Sequence, residues 1–237
     1  MKLNFKKGVK DGIPIALGYL SVSFGFGILA TSLGLSILEA VAISASNLTS
    51  AGQVAGVGII AAGGTYLEMV LTQLVINIRY SLMALSLSQK LDDSFTTPHR
   101  MMAAFGITDE IFAVAASQKG KINPRYMYGL IAISFVGWTM GTLLGAAAGQ
   151  ILPEALTDAM GIVLYGMFLA IVIPPAREHK GVMVVAIVAV LCSMLFYYII
   201  TAVSSGFAII ICAIIAAVVG AVFFPVEDEE EAKEGKA

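Results

Sequence analysis

Charged residues are scarce in this chain. Only 13% of its 237 residues are Asp, Glu, Lys or Arg, while 58% are apolar, a balance unlike that of a soluble globular domain. Four runs contain no charged side chain: residues 12–38, 40–67, 127–153 and 181–226. About 20 apolar residues cross a hydrocarbon core of roughly 30 Å. The sequence therefore predicts an all-α polytopic membrane protein.

Cysteine and histidine are also rare, with two of each. Cys192 and Cys212 fall inside apolar runs, which favours simple packing over a disulfide or a metal pair. His99 and His179 lie in separate polar loops, so a histidine-based metal site or triad is not predicted. The chain has no His-Glu-x-x-His, Gly-x-Ser-x-Gly or phosphate-binding loop. We therefore predict no catalytic residue, metal or cofactor, and any active transport would depend on an ion gradient or an exchanged solute.

The apolar segments predict about eight transmembrane helices, or seven if one segment does not cross. Their approximate bounds are residues 13–33, 37–62, 65–88, 101–118, 126–150, 156–173, 181–201 and 204–225. Residues 1–226 are predicted to form a single transmembrane domain. The acidic tail, residues 227–237, is predicted to be disordered and cytoplasmic.

The positive charges predict the orientation. Four lysines precede the first segment, and further Lys and Arg residues lie in the loops 119–125 and 177–180. By the positive-inside rule, eight crossings then place both termini in the cytoplasm. Only the loop 89–100 is ambiguous, because Lys90 and Arg100 are balanced there by Asp92 and Asp93. A faint similarity between residues 27–40 and 141–155 predicts a weak parallel repeat of four plus four segments.

A glycine stripe marks the fifth segment. Gly137, Gly141, Gly145 and Gly149 recur at every fourth position, so they form one narrow line along a helix. Such a line lets another backbone approach closely. It predicts helix packing, either within this chain or against a partner.

The second segment, residues 37–62, has a small and polar centre. Ser, Thr, Gly and Gln fill most of the positions between 47 and 58. A broken transporter helix has this composition, because backbone N–H groups freed at a break can bind a carboxylate next to the positive end of the following half-helix. A continuous helix that packs tightly through small residues fits the same composition equally well.

An arginine and an asparagine occupy the middle of the third segment. At the centre of a spanning helix an arginine costs about 2.5–3.5 kcal/mol, so Arg79 needs a carboxylate, a wet cavity or the interface. Its candidate partners are Asp109, Glu110 and Glu68. Ionisable residues inside a bilayer usually serve function, which favours a functional or gating role for Arg79 and its neighbour Asn77 over a structural one.

The acidic pair Asp109 and Glu110 lies in the middle of the short fourth segment. One interpretation is that these carboxylates balance Arg79 or take a proton during transport. Because Thr108 precedes Asp109, the pair also fits a local helix start capped by the threonine. It would then lie near an interface.

The order of the motifs carries a resemblance. A basic start with Gly-Ile-Pro is followed by Ser50-Ala-Gly-Gln53, then by Asn77-Ile-Arg-Tyr80, and then by Phe105-Gly-Ile-Thr-Asp-Glu110. Together, from about residue 8 to residue 224, they resemble the large subunit of the branched-chain amino acid exporters, the AzlC family of permeases.

This resemblance implies a function and a partner. The family exports leucine, isoleucine and valine, sometimes methionine, across the prokaryotic cytoplasmic membrane by means of the proton gradient. It acts with a much smaller membrane subunit of the AzlD type. Asp109 and Glu110 are then expected to pair with Arg79 or to couple protons. The residues expected to hold the charged head of the substrate are Ser50, Ala51, Gly52, Gln53, Asn77, Arg79 and Tyr80.

Two positions depart from the family pattern. The family usually has a histidine where this chain has Tyr80, and Ser50 occupies a position that is usually glycine. A histidine relays protons near neutral pH and a tyrosine does so much less readily, so the proton step and the substrate need not match the family norm. Two alternatives from other classes stay open: a scaffold subunit that does not transport, and a channel for a small polar solute.

Overall fold

All regular elements in the described part of the chain are helices. The computed structural model describes residues 3–149, 151, 166, 169 and 172–225, and the all-α prediction is confirmed. The tail and most of the sixth predicted segment lie outside the described residues. The helices are α1 (Phe5–Ser32), α2 (Ile37–Ser46), α3 (Ala51–Ala61), α4 (Tyr66–Ser88), α5 (Thr97–Phe105), α6 (Asp109–Ala116), α7 (Pro124–Ala148), α8 (Lys180–Tyr198) and α9 (Ser205–Phe223). Residues 172–178 are also helical.

Five of the described helices are long and apolar enough to cross a membrane: α1, α4, α7, α8 and α9. They contain 19 to 28 residues, which at about 1.5 Å per residue matches or exceeds a hydrocarbon core of roughly 30 Å. The prediction of a polytopic membrane protein is therefore confirmed.

The chain forms two compact units. The first unit consists of Met1–Gly63 and Ile76–Gly166, and the second consists of Gly64–Val75 and Met167–Ala237. Helix α4 belongs to both, since its first turns lie in the second unit and the remainder in the first. The polar motifs Ser50–Gln53, Asn77–Tyr80 and Phe105–Glu110 all fall in the first unit.

The centre of the first unit is a close pair of parallel helices, α1 and α7. The glycine stripe faces α1, and a methyl group on Gly141 or Gly145 would overlap the carbonyl oxygen of Leu20 or Phe24. Gly27 of α1 meets the Thr142 carbonyl in the same way. Small residues on both helices therefore let the two backbones touch, and the stripe packs within this chain.

The second segment is broken, as the first of its two interpretations predicted, and it turns back on itself. The chain leaves helical geometry at residues 47–50, between α2 and α3. Gln53 Nε2 donates to Ser44 Oγ at 2.9 Å across the break. Ala40 and Val57 share a buried cluster with side chains from the C-terminal part of α1. If α3 continued in the direction of α2, Val57 would lie far from Ala40, toward the opposite end of the first unit. The chain therefore reverses its direction between α2 and α3. The two helices form a hairpin, here called the outer hairpin.

The fourth segment forms a second hairpin, here called the inner hairpin. Its break at residues 106–108 separates α5 from α6. Lys90, which precedes α5, donates from Nζ to the carbonyl of Gln118 after α6 at 2.8 Å. Leu91 and Ile122 form a β-bridge beside this bond. Because the two ends of the segment meet, α5 and α6 enter and leave at the same end of the first unit.

These hairpins change the topology predicted from hydropathy. The second and fourth predicted spans each return to the end where they began, so these two segments of the described chain do not cross as predicted. The amide of Asn123 donates to the carbonyl of Leu3 at 2.7 Å, which places the amino-terminal lysines beside the loop 119–125. Lys90 and Arg100 lie at the same end of the first unit as the amino-terminal lysines. Eight crossings would instead place these two residues on the opposite side of the membrane. The positive-inside rule assigns this end to the cytoplasm.

The two hairpins also reveal a repeat of inverted orientation. Helix α1 followed by the outer hairpin, and α4 followed by the inner hairpin, are each a crossing helix with a hairpin that enters from the opposite end. Inverted repeats of this kind are common in secondary transporters. The predicted parallel repeat depends on residues 150 and 152–155, which lie outside the described residues.

Candidate functional site

The tips of the two hairpins meet halfway through the first unit. Leu48 of the outer tip and Ile107 of the inner tip belong to one buried cluster with Tyr19 and Trp138. Tyr19 lies midway between the ends of α1, about 21 Å from its start at 1.5 Å per residue. Irregular backbone at this depth is tolerated only where it is buried in protein or lines a cavity.

Tyr19 holds the inner tip. Its hydroxyl oxygen lies 2.5 Å from Thr108 Oγ1 and 2.6 Å from Glu110 Oε2. Thr108 also caps α6, because its Oγ1 accepts a hydrogen bond from the Ile111 N–H at 3.3 Å. The predicted threonine cap is thus present, but at the middle of the unit and not near an interface.

Trp138 connects Tyr19 with the outer hairpin. The two rings meet edge to face with centroids 5.1 Å apart, and the indole Nε1 donates to Gln53 Oε1 at 3.0 Å. Gln53 Nε2 donates to Ser44, whose Oγ lies 2.7 Å from Thr142 Oγ1. Both ends of the buried Gln53 amide are therefore used inside the protein. These two bonds orient Gln53 at the outer tip, and its predicted contact with the substrate stays a prediction.

Ser50 is strained at the outer tip. It has a positive φ of 48°, a conformation that costs a non-glycine residue about 1–3 kcal/mol and occurs preferentially at functional sites. Its Oγ and the Oγ1 of Thr49 are buried with no hydrogen-bond partner. The strain explains why glycine suits this position, as in the pattern that the chain resembles.

Helix α3 begins directly after Ser50. Ala51 and the buried Gly52 form its first turn, where backbone N–H groups have no acceptor four residues earlier in the same helix. Ser50 gives no side-chain cap to this end. A helix start of this kind attracts an anion such as a carboxylate. The Gly52 N–H already donates to the Thr49 carbonyl at 3.2 Å, and the substrate-binding role of Ala51 and Gly52 stays a prediction.

Arg79 forms an ion pair with Asp109. Its NH1 lies 2.6 Å from Asp109 Oδ2, so one of the three candidate carboxylates is the partner. Its NH2 donates to the Tyr80 hydroxyl at 3.2 Å, and its guanidinium carbon lies 4.8 Å from the centre of the Tyr80 ring. The side chains of Arg79 and Asp109 are 43% and 42% exposed. Within a bilayer such exposure requires a wet cavity or a polar partner.

The third candidate, Glu68, has a different role in the second unit. It is 3% exposed and accepts hydrogen bonds from Ser204 Oγ at 2.6 Å and from the Gly206 N–H at 2.8 Å. These bonds join the start of α4 to the start of α9. Glu68 therefore stabilises the packing of two helix ends.

Asn77 is placed apart from Arg79. The two residues are separated by two positions on α4, which corresponds to about 200° around the helix, so their side chains leave on nearly opposite faces. Asn77 is half-buried. The structure thus brings Arg79, Tyr80, Asp109 and Glu110 to the inner tip, while Asn77 lies on another face of α4.

The charges at the inner tip suit a zwitterion. Arg79 can attract a carboxylate and Asp109 an ammonium group, each by replacing one half of the existing ion pair. With Glu110 also ionised, the three groups carry one negative charge in excess. One proton would make the site neutral.

Four residues of this arrangement were not predicted from the sequence: Tyr19, Ser44, Trp138 and Thr142. Each is an uncharged side chain in an apolar run, and each joins elements far apart in sequence. The only signal available was that Trp138 is the single tryptophan of the chain.

The sequence of this chain matches one family model and several known membrane proteins. Residues 14–152 match the family described as AzlC protein, a range that contains both hairpins and the α1–α7 pair. Inner membrane protein YgaZ of Escherichia coli (strain K12) is 31% identical over 189 residues, covering 77% of each chain. An uncharacterized membrane protein of Archaeoglobus fulgidus is 33% identical over 172 residues, covering 72% of this chain and 75% of its own. One of Helicobacter pylori (strain J99) is 27% identical over 200 residues, covering 80% and 86%. No solved structure matches the chain.

Proposed function

Since this chain belongs to the AzlC family of membrane proteins, we propose that it is the large subunit of a two-component secondary transporter. It exports the branched-chain amino acids leucine, isoleucine and valine, with methionine as a further substrate, across a prokaryotic cytoplasmic membrane. Export is coupled to the proton gradient and requires a small AzlD-type membrane subunit. The observation that carries this proposal is the Arg79–Asp109 pair at the mid-depth meeting point of two helix hairpins.

The charged head of an amino acid fits this meeting point. Its carboxylate replaces Asp109 at the Arg79 guanidinium, while its ammonium group binds the freed carboxylate of Asp109. The Arg79–Asp109 ion pair is thereby replaced by two ion pairs with the substrate. Because every charge keeps a partner, the free-energy cost of placing charges inside a bilayer stays limited. Hairpins entering from opposite ends give each side of the membrane its own gate to the same site.

The coupled proton is carried by Glu110 in this proposal. Arg79 and Asp109 neutralise each other, so Glu110 is the carboxylate whose charge is not matched by the guanidinium. Its bond to the Tyr19 hydroxyl, 2.6 Å long, holds it beside the site. Tyr80 positions Arg79 by a hydrogen bond and by its ring. A proton relay through a histidine at that position is therefore not needed.

Arg79→Ala tests the proposal. Cells expressing the chain with its small partner are loaded with leucine, and efflux is followed. We expect the variant to lose export by at least about 100-fold, since both the substrate carboxylate and Asp109 lose the cation that binds them, while its abundance in the membrane stays normal. Lys119→Ala is the matched control, because it also removes a positive charge but at an exposed residue of the loop 119–125. Normal leucine efflux in Arg79→Ala would refute the proposed site.

The same assay separates the alternative functions. A scaffold subunit predicts no efflux from any member of an amino acid panel, with or without the partner. A channel predicts transport that runs only downhill and continues when an uncoupler collapses the proton gradient. The proposed exporter requires both the gradient and the partner.

A further inference from the structure

An apolar cavity lies directly below the inner tip. Its volume is about 160 Å³, and it opens between α4, α5 and the start of α7 within the first unit. Its walls are mainly aliphatic, and small side chains form much of them. The residues that shape it are Ala84, Leu87, Ala103, Ala104, Ile107 and Met127.

The cavity reaches the inner tip through Ile107, which lies in its wall and immediately precedes Thr108 and Asp109. On α4 the wall residue Ala84 follows Arg79 by five positions, about 7.5 Å along the helix axis and about 140° around it. From the tip the cavity extends toward Leu91 and Arg100, at the end of the unit that carries the amino-terminal lysines. It is therefore placed on the cytoplasmic side of the charged site, where an exported molecule is loaded.

We propose that this cavity is the selectivity pocket for the aliphatic side chain of the exported amino acid. The proposal rests on the proposed export function and adds the residues that set the substrate's size. A dry apolar cavity of about 150 Å³ accommodates a benzene ring, so this one accommodates the butyl side chains of leucine and isoleucine. The two polar residues of the lining, Ser88 and Arg100, donate to the carbonyls of Leu85 and Phe95. A polar substrate side chain would therefore lose hydration for little gain in hydrogen bonding. Ala84 and Ala104 leave the space that a larger residue would fill.

Two filling variants test the pocket. Ala84→Leu and Ala104→Leu each add three carbons to the wall. We expect export of leucine and isoleucine to fall by about 10-fold or more relative to valine and alanine, since one methylene in a tight pocket changes discrimination by about 10- to 200-fold. Ala113→Leu is the matched control. It makes the same change on α6 at a position that does not line the cavity and should leave the ratio unaltered.

One enlarging variant tests the pocket from the opposite direction. Leu91→Ala removes three carbons from the cytoplasmic mouth of the cavity. We expect phenylalanine efflux, measured in the same cells, to rise severalfold relative to leucine efflux. This gain does not depend on the filling variants folding correctly.

Each result has a defined meaning. If the wild type exports leucine and valine but both filling variants change all substrates equally, or if Leu91→Ala leaves the phenylalanine ratio unchanged, the pocket proposal is wrong and the export function stands. If the filling variants reduce copurification of the small subunit without altering substrate ratios, the cavity holds a partner side chain and the proposal is equally wrong. A wild type that exports no member of the panel overturns the proposed function itself.

Discussion

Tyr19 connects the two hairpin tips at the scale of single residues. Its hydroxyl contacts Thr108 and Glu110 of the inner tip, and its ring packs on Trp138, which binds the outer hairpin. A phenol is suited to this place because its ring contributes apolar area while its polar end satisfies a buried group. Loss of the hydroxyl would leave Thr108 and the Glu110 carboxylate short of one hydrogen bond.

Tyr19→Phe is therefore expected to lower the free energy of unfolding by about 1–3 kcal/mol, the cost of an unsatisfied buried polar group. Titration with a denaturing detergent of the purified protein measures this change. Leucine efflux should fall as well, since the position of Glu110 is no longer fixed. Tyr66→Phe removes the same atom from a side chain that is 93% exposed, and it should shift stability by no more than about 0.5 kcal/mol. Equal effects of the two variants would contradict the role given to Tyr19.

The sequence predicts the charged residues of the site better than the uncharged ones. An unpaired guanidinium at the centre of a membrane segment has a high free-energy cost. This cost alone indicates that Arg79 has a carboxylate partner, and Asp109 is one of the candidates. Gln53 is expected at the substrate as part of the Ser50–Gln53 motif of the resemblance, but the hydrogen bonds of its buried amide depend on the donors and acceptors that the fold supplies. Trp138 and Ser44 supply them here, and contacts between residues so far apart in sequence leave no local pattern.

At the scale of the elements, the close contact of α1 and α7 organises the first unit. Gly145 contacts the backbone of α1 so closely that a methyl group there would overlap the Phe24 carbonyl. Gly18, on α1, has no atom within 4 Å of the position that its methyl group would occupy. The two glycines therefore offer the same chemical change in opposite environments.

Gly145→Ala and Gly18→Ala should change stability with opposite signs. We expect Gly145→Ala to lower the free energy of unfolding by about 1–3 kcal/mol, because the overlap forces the helices apart. Gly18→Ala should raise it by up to about 1 kcal/mol, because alanine loses less backbone entropy in a helix. Thermal unfolding of the two variants in detergent gives both values. A stabilised Gly145→Ala would show that the contact is not tight.

The helical segments follow from hydropathy, but their directions do not. The outer hairpin contains 10 and 11 residues in its two helices and the inner hairpin contains 9 and 8. Either pair adds up to about the length of one span, so a hydrophobicity window counts it as a crossing helix. The small and polar residues between 47 and 58 fit a break and a continuous helix equally well. The reversal of direction depends on the packing of Ala40 and Val57 in one cluster with the end of α1, which hydropathy does not record.

At the scale of the whole molecule, the two hairpins divide the path across the membrane into an outer and an inner half. Both halves end at the same buried cluster around Tyr19 and Trp138. The α1–α7 pair is fixed by backbone contact, whereas each hairpin consists of short helices with irregular tips. Movement of one hairpin at a time would therefore expose the site to one side while the other stays closed.

The arrangement of hairpins makes a prediction that hydropathy contradicts. Eight crossings place position 62 in the cytoplasm and position 94 outside, whereas two hairpins place position 62 outside and position 94 in the cytoplasm. After Cys192 and Cys212 are replaced by serine and alanine, Ala62→Cys and Ser94→Cys provide single exposed thiols. A maleimide that does not cross membranes should label intact cells carrying Ala62→Cys and should label Ser94→Cys only after the cells are opened.

Two further positions calibrate this labelling experiment. Leu33→Cys lies outside and Ser117→Cys lies inside under both topologies, so they show that the reagent stays outside and that each side can be detected. The reverse pattern at positions 62 and 94 would show that both segments cross the membrane. The hairpin tips could then not meet from opposite ends, and the mid-depth site formed by Arg79, Asp109 and Tyr19 would have no separate outer and inner gates. The labelling pattern therefore tests the transport mechanism together with the topology.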